Sequence, residues 1–193
     1  MHREHLLKLL HAHRPFDETE AAMLASMLDF VQNEPRCFER ALEIGHVTGS
    51  AWIVDEDFSH ALLTHHAKLN RWLQLGGHAD GETDILQVAL REAREESGLE
   101  SVTPLSENIF DVDVHPIPAR GDLPQHLHYD VRFLLGANRG ARLTISDESH
   151  DLAWVPLEEI ALRSPGASVA RMVEKMRLMR QDRAAKPEHG TTS

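Results

Sequence analysis

Apolar positions in the first part of the chain recur at helical spacing. Leu6, Leu7, Leu9 and Leu10 form one apolar face, and the spacing predicts helix over residues 1 to about 34. Within this stretch "FDETEAAMLASMLDFV" offers Asp17 as an N-cap with Glu20 three residues on, a capping-box pattern, and "QNEPRC" ends the helix. The period then changes. "HVTGSAWIVD" and "HALLTHH" are short apolar runs separated by "EDFS", which predicts a hairpin, and "RWLQLGG" predicts a further short strand ending in a glycine pair. "NIFDVDVHPI" and "HLHYDVRFLL" read as strands around the loop "PARGDLPQ". "DLAWVPLEEI" reads as a strand entering a short helix, "SVARMVEKMRLMR" as a terminal amphipathic helix, and "AAKPEHGTTS" as a frayed tail. This order predicts a mixed α/β fold. It divides into an N-terminal helical extension (1–40) packed on a main domain (41–185), with a flexible tail (186–193).

Between the glycine pair and the next strand lies a helix predicted over about Thr83 to Ser97. Ile85, Leu86, Ala89, Leu90 and Ala93 supply its apolar stripe. Glu92, Glu95 and Glu96 fall at i, i+3 and i+4, so three carboxylates converge near the C-terminal end, where the helix dipole disfavours negative charge. A hard divalent cation bound through oxygen would relieve that conflict. The alternative is a solvated acidic face with Arg91 and Glu95 as an i,i+4 ion pair. Gly98 is the expected C-terminal cap.

Composition narrows the functional classes. The chain has 193 residues and a formal charge of −11, with 31 acidic against 20 basic side chains, which argues against a nucleic-acid backbone binder. A local basic patch around Arg171, Lys175 and Arg177 is the one feature pointing the other way. The N-terminus reads as no signal peptide and no apolar run has membrane-spanning length, so no membrane association is expected. A single cysteine, Cys37, excludes an internal disulfide and suits a reducing cytoplasm, the expected location.

Residues 77–99 resemble the Nudix hydrolase box, Gly-x5-Glu-x7-Arg-Glu-U-x-Glu-Glu-x-Gly-U with U apolar. Gly77, Arg91, Glu92, Ala93, Glu95, Glu96, Gly98 and Leu99 fall in register without a gap. Thr83 stands in place of the first box glutamate, with Glu82 beside it. The resemblance implies an α/β/α sandwich with a mixed β-sheet. It implies a Mg2+- or Mn2+-dependent hydrolase that cleaves a diphosphate linkage in a nucleoside diphosphate joined to another moiety, by water attack on phosphorus. Carried over by position, Glu95 and Glu96 are the main side-chain metal ligands, with the backbone carbonyl of Gly76. Glu92 ligates a second ion or serves as general base, and Arg91 completes the catalytic set. Glu148, six residues before Trp154, is a candidate later acidic group. Gly77 and Gly98 shape the box. In the family the first box glutamate braces the arginine, so Glu82 is the expected substitute for that role. Thr83 and Asp84 are alternative caps for the helix.

Two other functions remain open on the sequence: a non-hydrolytic nucleotide-sensing module, and an enzyme similar to isopentenyl diphosphate isomerase. The isomerase relies on a catalytic cysteine, and Cys37 precedes the box. The N-terminal arm is open to three roles: covering the sheet, forming a homodimer contact or restricting the substrate pocket. Fourteen histidines is a high count. His126, His128 and Asp130 share one side of a strand, His115 lies on the preceding one, and His65, His66 and His78 lie near the box. A transition-metal or phosphate-binding role for them competes with a plain polar strand face, and the polar face is the expected reading.

Overall fold

A computed structural model of the chain describes residues 2–121, 124–147 and 149–185. Two helices come first, α1 (Glu4–Ala12) and α2 (Glu18–Asn33). Then follow β1 (Gly45–Val54), β2 (His60–His66), β3 (Arg71–Leu73), β4 (Leu75–His78), α3 (Ile85–Ser97), β5 (Val102–Pro104) and β6 (Asp111–Ile117). The chain closes with β7 (His126–Ala137), β8 (Ser149–Pro156), α4 (Ile160–Arg163) and α5 (Ala167–Ala185).

One mixed sheet of eight strands organises the molecule. Its spine is β3-β2-β1-β7-β5, with β4 paired to β1, β6 to β7 and β8 to β2. β1 and β7 run parallel along their length, from Gly45 opposite Leu127 to Val54 opposite Gly136, and every other pairing is antiparallel. On one edge of β1, β4 pairs with its first half and β2 with its end. β6 and β5 divide β7 in the same way, which curls the sheet.

β1 is buried over all ten residues, so its alternation serves two cores. Val47, Ala51 and Ile53 join α3, α1 and α2 on one face, through Val88, Ala89, Leu6, Leu10 and Met27. Trp52 and Val54 join α4 and α5 on the other, through Ile160, Met172, Val173 and Met176. The resulting arrangement is the α/β/α sandwich. α5 is apolar only in its first half, because no residue beyond Met176 is buried. Met179 is exposed.

The polar members of the sheet interior form a continuous ion network. Arg132 on β7 pairs with Asp130 at 2.8 Å, Asp111 at 3.1 Å and Asp113 at 3.2 Å. Arg171 on α5 pairs with Asp111 at 2.8 Å, and Lys175 bridges Asp111 and Glu20 at 2.7 Å each. Arg171 and Lys175 therefore face inward, and Arg177 lies beside Glu174 at 3.3 Å, so these three residues form no exposed basic patch. Asp17 caps α2 as expected, accepting from the Glu20 N–H at 2.7 Å. The reciprocal half of the capping box is not made. The Glu20 carboxylate takes the N–H groups of Phe16 and Val112, His13 and Lys175 instead, fastening the arm to β6 and α5.

This anchor is sensitive to acid. Burial would raise the Glu20 carboxyl, but hydrogen bonds from His13 and Lys175 hold it far below the carboxylate range. The unfolded carboxyl takes its proton near the ordinary 4.5, so the folded state carries the full contribution above that pH and loses it as pH falls below. Melting temperature is expected to drop between about pH 5 and pH 3. A Glu20→Gln variant should melt lower at neutral pH and fall less steeply over that window. An identical acid slope in the two proteins would remove Glu20 from the explanation.

Candidate functional site

The site is built where β4 runs into α3. Gly76 lies opposite Ser50 and Gly77 opposite Gly49 in the β1–β4 ladder. A Cβ on Gly76 would meet Ser50 Oγ at 2.3 Å. A Cβ on Gly77 would lie 2.5–2.7 Å from the carboxylate of Glu92. Glycine is required at 77 because an acidic side chain occupies the space beside the backbone. A Gly77→Ala variant is expected to displace Glu92 and lower turnover about 10–100-fold, the usual cost of disturbing a group that orients a ligand. Steady-state rates and a melting curve would show it; unchanged turnover would mean that the Glu92 position does not matter.

The chain then turns through Asp80 (φ 49) and Gly81 (φ 90) into α3. Asp84 is the N-cap and accepts from the Gln87 N–H at 3.4 Å, so of the two cap candidates it is Asp84, not Thr83. Glu82 accepts from the N–H groups of Thr83 at 2.7 Å and Asp84 at 2.9 Å. Its carboxylate therefore secures the turn ahead of the helix. The contacts of Arg91 differ from the sequence expectation in the same way: its Nη2 donates to the His78 carbonyl at 2.9 Å and to Glu92 at 2.7 Å. The strand that carries the glycine pair thus holds the arginine, and its hydrogen bond to the Glu92 carboxylate raises the Arg91 pKa. α3 ends at Gly98, left-handed at φ 68, whose N–H reaches the Arg94 carbonyl.

Glu96 is buried, 8% exposed, and its Oε2 accepts from the Gly76 N–H at 3.2 Å. Glu92 and Glu96, one helical turn apart, so flank the two glycines of β4. Glu95 is exposed on the adjoining helical row. Glu148 lies outside the described residues. Behind Gly76, Asp130 accepts from Ser50 at 2.7 Å, Thr48 at 2.9 Å and Gln74 at 3.3 Å. Spacing along the chain gave no signal for that polar row, which depends on the register of β1 with β7. The donors around the glycine pair are all oxygen, and Gly77 leaves room for a carboxylate, a combination that fits a hard cation such as Mg2+ or Mn2+.

The histidines sort differently from their spacing. Asp130, grouped by alternation with His126 and His128, pairs with Arg132 instead. His46, His78 and His128 converge, each offering a ring nitrogen within 4.8 Å of the others. Burial pushes His46 below the usual histidine range. It pushes His78 down to about 4 and His128 to about 2, with neighbouring positive charge adding to each. His65 stacks on Trp72 at 5.1 Å, apart from this group. Cys37 is fully buried, and burial raises its thiol to about 11, which suits packing and not acid–base chemistry at neutral pH. Among the described residues no helix is long and apolar enough to cross a membrane.

The NUDIX domain model matches residues 46–176, more than half of the chain. No curated protein sequence matches it. Solved structures do. The C. elegans Ap4A hydrolase binary complex superposes with a TM-score of 0.57 at 19% identity, covering 70% of this chain and 98% of that one. The E. coli dihydroneopterin triphosphate pyrophosphohydrolase gives 0.53 at 14% identity, covering 67% and 92%. A NUDIX-family hydrolase from Clostridium perfringens gives 0.50 at 22% identity, covering 69% and 97%. At these identities the likeness is one of fold.

Proposed function

The chain belongs to the NUDIX domain family and is a pyrophosphohydrolase, and from that premise we propose that it hydrolyses a diphosphate linkage in a nucleoside diphosphate joined to another moiety, with Mg2+ or Mn2+. The observation that carries this reading is the placement of Glu92 and Glu96 against Gly77 and Gly76, with Arg91 clamped between Glu92 and the His78 carbonyl. A divalent cation held there would neutralise the diphosphate and the charge that develops at phosphorus. Glu96, Glu95 and the Gly76 carbonyl are its proposed ligands.

The chain's own groups do the rest. Arg91 fixes the rotamer of Glu92 through a 2.7 Å hydrogen bond, and Glu92 is the proposed general base toward an attacking water molecule. Glu92 takes a proton from that water as the new P–O bond forms and the bridging P–O bond breaks; the leaving phosphate carries away the electron pair. The buried row of Ser50, Thr48 and Asp130 holds β1 against β7, and Gln74, just ahead of β4, donates to the same carboxylate. Glu82 keeps the entry turn closed against the first N–H groups ahead of α3.

Two of the similar enzymes are named for Ap4A and for dihydroneopterin triphosphate. A panel of dinucleoside polyphosphates, nucleotide sugars and nucleoside triphosphates, assayed with Mg2+ and with Mn2+, tests the reading. Cation-dependent cleavage of at least one compound, with label from 18O-water in a single product, is the expected result. Tight binding of a nucleotide without turnover under every condition would favour a sensing module instead.

A further inference from the structure

We propose that His46, His78 and His128 form a second metal site, separate from the acidic box, that takes a transition-metal cation of the Zn2+ class. The three residues come from β1, β4 and β7. The parallel register sets His46 directly opposite His128, and the antiparallel register sets His78 opposite Thr48, two residues along from His46. Alternation then turns all three rings to one side, away from the face on which Gly49 meets α3. The ring centroids of His46 lie 5.1 Å from His78 and 4.8 Å from His128, and those of His78 and His128 lie 5.2 Å apart.

Hydrogen bonding points to a ligand. His46 is 2% exposed, and apart from the nearby Leu42 carbonyl its ring nitrogens meet no protein partner; the Nε2 of His128 is buried without one. Unsatisfied buried polar atoms are costly, so a cluster of them calls for an explanation. A cation bonded to these nitrogens supplies one. Imidazole nitrogen is a good donor for Zn2+, Co2+, Ni2+ or Cu2+ and a poor one for Mg2+, so chemistry separates this site from the oxygen donors of the box. Tetrahedral coordination with metal–nitrogen bonds near 2.0–2.1 Å sets neighbouring nitrogens about 3.3 Å apart. The present spread is at most 4.8 Å, so binding requires the rings to rotate toward one another. His126, 5.1 Å from His46 between ring centroids, and water are the candidates for the fourth position. Arg40 and Asp80 act on His78 with opposite sign, and the Arg91 guanidinium lies against the His78 carbonyl.

The site would pin the end of β4, one residue past Gly77, to the two central strands. The test uses the full chain without a histidine tag, stripped with a chelator and titrated at neutral pH in excess Mg2+. Zn2+ is expected to bind in one equivalent by calorimetry and to raise the melting temperature, and Co2+ to give the visible bands of a nitrogen-ligated tetrahedral ion. Both signals should persist in Glu95→Gln and Glu96→Gln and disappear in His128→Gln and His78→Gln. His78 is only half-buried, so that variant carries the test where a core substitution prevents folding. Absence of stoichiometric Zn2+ binding, survival of the signal in the folded histidine variants, or its loss in the glutamate variants would each overturn the proposal. Loss in the glutamate variants alone would place the ion in the box and leave the hydrolase reading standing.

Discussion

Glu96→Gln is expected to lower turnover on any accepted diphosphate by on the order of 10²–10⁴-fold, the range for removing a single preorganised electrostatic or proton-transferring group. The substitution keeps shape and takes away the charge. The Gly76 N–H, 3.2 Å from Glu96 Oε2, still finds an amide oxygen, so the β4–α3 junction should survive with a melting temperature close to wild type. Glu95→Gln is expected to act in the same direction. Because Glu95 is exposed, its variant separates a cation role from a packing role most cleanly. Initial rates across a Mg2+ or Mn2+ titration, with circular dichroism as the folding control, decide the matter. Wild-type rates in both variants would sink the metal assignment.

Arg132→Leu is expected to be the most destabilising single change in the sheet. Arg132 is 2% exposed and lies within 3.2 Å of three carboxylates, Asp111, Asp113 and Asp130. Burial disfavours its charge, yet the three acids raise its pKa further, so it stays a cation throughout the accessible range. Removing it leaves three acids facing one another, with Arg171, Lys175 and His115 against Asp111 and Asp113 and neutral donors alone against Asp130. Breaking a buried ion pair from one side costs about 3–5 kcal/mol. For a chain of this size that is roughly 6–20 °C of melting temperature. Adding Asp113→Asn to Arg132→Leu should recover part of the loss, because the coupling lies between neighbours. A single variant melting within a degree or two of wild type would show that the network does not hold the sheet.

Local pattern made the helices and most strands legible. The Asp17 cap, the acidic stripe of α3, the Gly98 stop and the alternation of β6 and β7 all arise within a few residues of chain. The structure adds the pairings that no local period encodes. β5 is three residues long and was not separable from the turn around it. Glu20 read as half of a capping box, since its partners Val112 and Lys175 lie 92 and 155 residues away. Arg171 and Lys175 read as a surface patch because α5 reveals which side is buried only once β6 lies against it. The contacts of Glu82 were likewise hidden: an acid beside the expected position looks like a substitute for it until the turn geometry is known. His46 went unremarked for the same reason, lying in an ordinary apolar run until the β1–β7 register set it beside His128.

The parallel pairing of β1 with β7 also has a kinetic consequence. Contacts within the box are close in sequence, 13 residues between Arg91 and His78 and 20 between Gly76 and Glu96. Those that seal the sheet, from Thr48 and Ser50 to Asp130, span 82 and 80 residues. Closing a long loop comes before its contacts can reward it, so pairings of that separation form slowly, on the scale of milliseconds to seconds in comparable topologies. The acidic box can therefore assemble early on a growing or refolding chain, while the neighbourhood of His46 and His128 exists only after the last strands have closed. In a refolding time course, protection of the α3 amides should precede that of β1 and β7.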